Sequence, residues 1–117
     1  EKKMIKIEAI TRPERVNQVV QALEEVGCKG FHFVNVTGQG QQQGVEVFTG
    51  RGATTTSRSS LPKTLLVTVV NDDQKDSVVE AIIESARSGN IGDGKIFVSS
   101  VGEVIRVRTG DRNEDAL

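Results

Sequence analysis

With 117 residues, 15 basic and 16 acidic side chains and a formal net charge of −1, the chain has the size of one domain that buries roughly two-thirds of its unfolded surface. It lacks the basic surplus that drives general binding to nucleic acid or an acidic membrane, and its only aromatics are four Phe, too few for base-stacking platforms. A single cysteine, Cys28, makes no intrachain disulfide and fits a reducing compartment. No run approaches ~18 apolar residues and no signal peptide is visible, so the expectation is a cytoplasmic protein without direct membrane insertion.

Ile5–Ala9 alternates Ile5, Ile7 and Ala9 with Lys6 and Glu8, the period of a strand buried on one face. Pro13 sits where a helix can start, since its missing N–H would be unpaired there anyway. Val16, Val19, Val20, Leu23 and Val26 follow as a helical stripe, and Gly27 is a natural stop. Phe31–Val36, rich in β-branched and aromatic residues, reads as a second strand. Gly38–Ser60 changes character: Gly38, Gly40, Gly44, Gly50 and Gly52, consecutive glutamines and a Thr/Ser-rich tract predict a long functional or mobile loop, with Val45, Val47 and Phe48 as a short extended patch. Leu65–Val70 is a third strand. Asp72 or Asp73 is placed to cap a second helix, whose Val78, Val79, Ile82, Ile83 and Ala86 form a buried face. Gly89 ends it, Ile96–Val101 is a fourth strand, and Val104–Gly110 a short terminal one. The order is that of an α+β ferredoxin-like βαββαβ domain spanning 1–117. It has an antiparallel sheet, two helices on one face and a long loop between strands two and three.

Two segments carry chemistry. In Ile91-Gly92-Asp93-Gly94-Lys95 the glycines permit φ > 0 and close approach, so turn N–H groups can face an anion beside the Lys95 charge. In Ile105-Arg106-Val107-Arg108 a strand would send both guanidinium groups from one face, and their forks match phosphate oxygens. Together they read as a polyphosphate site; taken alone, they fit equally a turn and a solvated basic edge that deters aggregation. No Ser/His/Asp constellation adjoins the turn, and His32 is the only histidine, which disfavours a phosphate-compound hydrolase. With Cys28, His32 supplies too few ligands for a metal. An RNA-binding module on this topology would need an aromatic-rich strand, which is missing.

Ile91–Val98 and Val104–Gly110 resemble the C-terminal signature of the PII signal-transduction family, and Ile5–Ile10 through Gly27 is similar to its N-terminus. The resemblance weakens only between about Gly38 and Ser60. It implies a non-enzymatic homotrimer that binds ATP and ADP in clefts between subunits. Such a protein regulates a partner, a membrane transporter or a metabolic enzyme, through a mobile T-loop at about 38–60. Carried over position by position, Gly92, Asp93, Gly94, Lys95, Arg106 and Arg108 contact the nucleotide. The loop start Gly38, Gln39, Gly40, Gln41 and Gln42 does so as well, and Ile10 and Val69 wall the adenine. Gln42 matches the glutamine that ligates Mg²⁺ with ATP and 2-oxoglutarate, and Lys63 the lysine that pairs with 2-oxoglutarate, so a nitrogen-status sensor is the alternative. The chain departs from the pattern at His32, where a small hydroxyl residue is common, and at Gln39, Gln41 and Gln43, which replace aromatic and basic residues. It has no Tyr, which excludes tyrosine uridylylation; Thr54, Thr55 or Thr56 lies near that place, and Arg51 matches an arginine at the loop tip.

Overall fold

The structure, a computed structural model, describes residues 3–38, 45–48, 55–58 and 61–117, the two four-residue stretches by backbone alone. Strand β1 (Met4–Thr11) leads through a 3₁₀ turn (Pro13–Arg15) into helix α1 (Val16–Glu25) and strand β2 (Phe31–Gly38). A two-stranded ribbon, β3 (Val45–Phe48) against β4 (Thr55–Arg58), precedes β5 (Leu61–Asn71), α2 (Lys75–Ala86) and β6 (Lys95–Val101). The main sheet runs β2-β5-β1-β6 with every neighbour antiparallel. This is the ferredoxin-like arrangement expected from the pattern.

Strand alternation decides which side chains meet the helices. Ile7 lies opposite Thr68 and Ala9 opposite Leu66, and all four are buried. Val19 and Leu23 of α1 and Val78, Ile82 and Ala86 of α2 close over them in one cluster. Val79 and Ile83, expected in the same face, are only partly buried. The opposite sheet face carries Val34 of β2, Leu65, Val67 and Val69 of β5, Ile10 of β1 and Phe97 of β6, with the charged Lys6, Glu8, Lys63 and Lys95 among them. Val34 and Phe97 are about half exposed there, at 56% and 51%.

Three local expectations change. Pro13 opens a 3₁₀ turn in which Arg15 N–H donates to the Arg12 carbonyl, so the α-helix begins only at Val16. Neither aspartate caps α2: the chain leaves β5 in a tight turn, Gln74 N–H donating to the Asn71 carbonyl at 3.0 Å. That turn uses up Asp72 and Asp73, so Gln74 takes the cap position without a side-chain bond. Val104–Gly110 is not a strand. Ile105 makes one isolated bridge to Arg112, while Arg106 N–H donates to the Asp111 carbonyl at 2.9 Å and Gly110 N–H to the Arg106 carbonyl at 2.8 Å. The chain doubles back on itself, and Gly110 at φ +74° lets it do so. The apolar–basic alternation is that of a hairpin turn, and the two guanidinium groups do not leave from one strand face.

Candidate functional site

The Gly92–Lys95 turn joins α2 to β6, and its shape is set from several sides. Gly92 and Gly94 take φ of +102° and +106°, a region L side chains rarely enter. A Cβ on Gly94 would stand 1.6 Å from the Ile10 carbonyl oxygen, so only glycine permits the turn to lie against the end of β1. Asp93 is the hub: one carboxylate oxygen accepts from Ser88 N–H at 2.8 Å and Gly89 N–H at 2.9 Å, the other from the Ser88 hydroxyl and from Arg12 Nε at 3.1 Å. The Ser88 hydroxyl, with the two N–H groups and Arg12 behind it, holds this carboxyl well below the usual range against the opposing effect of burial.

Two cations grip the turn's carbonyls. Arg12 Nη2 donates to Ile91 at 2.8 Å, and Lys63 Nζ donates to Gly92. These residues enter from neighbouring strands, just beyond the Thr11–Thr64 pair and one step along from it. Burial, then the nearby Arg12 charge, lowers the Lys63 pKa, while Glu14 and Asp93 pull it back. With the carbonyls directed at cations, the N–H groups of Gly92, Asp93 and Gly94 have no acceptor among the described residues. Free N–H groups beside a lysine are suited to an anion. A cavity of about 420 Å³ adjoins the turn, bounded by Ile10, Gly94 and Lys95 and by the apolar flank of α2.

The expected site residues fall into two groups. Ile10 lies opposite Lys95, Lys63 reaches Gly92, and Gly38, at the end of β2, would meet Lys63 Cγ at 3.3 Å if it carried a Cβ. All of these share one end of the sheet. Val69 pairs with Lys6 and Ile10 with Leu65, which puts Val69 four residues, about 13 Å, down the sheet from Ile10. Arg106 and Arg108 follow Val101, which pairs with Met4, so they lie beyond the far end of β6, about 20 Å from Lys95 along the strand. Arg106 approaches Asp111 at 3.5 Å and the Leu117 carbonyl at 3.4 Å, Arg108 is exposed, and Val107 between them is 99% exposed. One chain therefore does not unite the three cations. The readings at Gln39, Gly40, Gln41, Gln42, Arg51 and Thr54 lie outside the described residues. Arg12 and Ser88 were not anticipated; Arg12 meets Asp93 across 81 positions, a distance over which no local pattern speaks.

The fold and turn define a ferredoxin-like domain with a braced glycine–lysine turn at one end of the sheet and an arginine hairpin at the other. The family model described as Nitrogen regulatory protein P-II matches residues 4–111. The chain is 47% identical over 115 residues to nitrogen regulatory protein P-II 2 of Methanothermobacter thermautotrophicus, covering 97% of both chains. It is 45% identical to P-II of Pasteurella multocida, covering 97% of this chain and all of that one. The crystal structure of Arabidopsis thaliana PII bound to citrate superposes with a TM-score of 0.80 at 42% identity, covering 100% of this chain and 94% of that one. The chain belongs to the P-II nitrogen regulatory family, whose proteins are signal transducers that regulate partner proteins and are not enzymes.

Proposed function

We propose that copies of this chain assemble as a homotrimer that binds ATP and ADP in the clefts between them and reports the occupant to a regulated protein through residues 38–60. One observation carries the reading. The Gly92–Lys95 turn and the Arg106–Arg108 hairpin stand at opposite ends of β6, so their cations meet only when one copy's hairpin approaches another copy's turn. The partly exposed apolar sheet face, with Val34 and Phe97, supports a subunit contact beside such clefts. Three cations then oppose the charges of a nucleotide polyphosphate, and Ile10 of one copy and Val69 of the next supply apolar walls for the base.

Among the described residues no three acidic, His or Cys side chains gather as a metal cage. Mg²⁺ would arrive with the ATP phosphates, with Gln42 as its side-chain ligand. The γ-phosphate alters contacts at Gln42, Lys95 and Arg108, and the loop shifts because the two nucleotides differ in affinity for its states. The regulated protein is a membrane transporter or a metabolic enzyme, met in the cytoplasm. Lys63, buried at the Gly92 turn, favours a second ligand with a carboxylate, 2-oxoglutarate, and the citrate held by the Arabidopsis relative is chemistry of the same kind.

Calorimetric titration with Mg-ATP, with and without 2-oxoglutarate, tests this. Binding that tightens with 2-oxoglutarate makes the protein a nitrogen-status sensor; indifference makes it an adenylate sensor; no nucleotide binding overturns the reading. Limited proteolysis of the 38–60 loop tests the switch, since identical cleavage with ATP, ADP and no nucleotide would sink it.

A further inference from the structure

We infer that Arg12, with Asp93 as its counterpart, is a positioning residue for the anion turn, and that Asp93 is a brace inside the turn rather than a contact for the nucleotide or its metal. The inference rests on the nucleotide reading above and says which groups make that site competent. A carboxylate offers about four acceptor directions, and those of Asp93 are taken by Ser88 N–H, Gly89 N–H, the Ser88 hydroxyl and Arg12 Nε. None is left to bind a cation or face a ligand. Arg12 uses two arms of its fork at once, Nε on Asp93 and Nη2 on the Ile91 carbonyl. It thereby ties the start of the turn to its centre, and both to the end of β1.

The consequence lies in the orientation of the peptide groups. Arg12 draws the Ile91 carbonyl inward, and Lys63 does the same to the next one, Gly92. Each peptide plane turned in this way directs the following N–H, that of Gly92 or Asp93, away from the cation, because the C=O and N–H of one peptide unit point oppositely. The anion-facing donors are therefore arranged before a ligand arrives, and the ordering cost of binding is correspondingly low. Lysine at position 12 could not reproduce this, since one ammonium on a flexible stem lacks the planar fork.

The test measures Mg-ATP affinity by calorimetry for the wild type, R12A, R12K, D93N and R12A/D93N, at low and high salt, with amide hydrogen exchange across 88–94. R12A is expected to bind about tenfold more weakly, the loss of a charge-assisted pair, with faster exchange confined to the turn. R12K is expected to recover only a minor part, and the double variant to be no weaker than the worse single one, because the two residues act as a unit. The loss is expected to persist in high salt, where a merely attractive surface charge would be screened. R12A binding like the wild type, R12K restoring affinity fully, or a loss that vanishes with salt each overturns the role of Arg12. Wild-type protein that takes up no Mg-ATP overturns instead the nucleotide reading and this inference with it. Should R12A not fold, R12K against wild type carries the same comparison, with affinity and turn exchange equal to wild type as the overturning result.

Discussion

The two basic turns of this domain are held in opposite ways. The Gly92–Lys95 turn is held by side chains from just past β1, from β5 and from just past α2, and one of its glycines presses on the β1 backbone. The Arg106–Gly110 turn is held chiefly by its own backbone and by one loose, exposed ion pair to Asp111. It presents an uncovered valine at its tip. The first is fixed by the surrounding domain; the second is a projection held by little beyond itself. Substitutions at the inner turn should therefore register in the stability of a single chain, and those at the hairpin in ligand affinity and assembly.

The largest effect is expected at the inner turn. Gly94→Ala forces a Cβ into the Ile10 carbonyl at a φ that alanine resists, which should cost about 3 kcal/mol of stability. Urea denaturation reads this directly; an unchanged midpoint would mean that the turn does not press on β1. Arg106→Ala is expected to reverse the pattern. Its exposed pair with Asp111 at 3.5 Å contributes within about 0.5 kcal/mol to folding, whereas ATP affinity should fall about tenfold or more. Arg108→Ala, which removes no bond within the described residues, should leave the denaturation midpoint where it is and still weaken ATP in the titration. If either arginine variant lost stability rather than affinity, the division of labour between the turns would be wrong.

Sequence periodicity located these turns unequally. The inner one was readable because α2 and β6 flank it with strong patterns, and because two glycines around an aspartate leave few backbone choices. Its bracing is not readable: nothing local to Arg12 or to the Asp93 carboxylate signals their contact, which arises only when the fold brings position 12 to position 93. The hairpin misled for a physical reason. Ile105 to Arg108 alternates apolar and basic residues as a strand does, yet the decisive bonds are those of Arg106 and Gly110 further along, and Asn113 at φ +58° with its side chain on Val104 N–H completes the reversal. Asp72 and Asp73 failed as caps in the same manner, because the turn out of β5 consumed them. The strands and helices themselves followed burial closely; β1 and β5 each ran longer than the apolar alternation, carried on by pairing in the sheet.

Asp93 and Lys63 allow the inner turn to be probed by pH alone. The Asp93 carboxyl is held below its ordinary value, first by the Ser88 hydroxyl. Its contribution is present above about pH 4, the unfolded carboxylate value, and is lost as pH falls further toward the folded value. Denaturation of D93N against wild type should show a steeper acid loss in the wild type, and parallel curves would remove Asp93 as the hub.

Lys63 gives the smallest and most specific effect. Its folded pKa lies below the ordinary value of a lysine, through burial and then the nearby Arg12 charge. Between the folded and unfolded values the unfolded chain binds more protons, so stability rises with pH there, and below both the cost of burying the charge is fully present. Lys63→Met should abolish that alkaline rise. A carboxylate seated against the ammonium favours its charged form and lifts the folded pKa. Saturating Mg-ATP with 2-oxoglutarate should therefore flatten the rise in the wild type and leave the Lys63→Met curve without a matching change in slope. An alkaline rise indifferent to the carboxylate would place that ligand elsewhere and leave Lys63 as a prop for the Gly92 carbonyl.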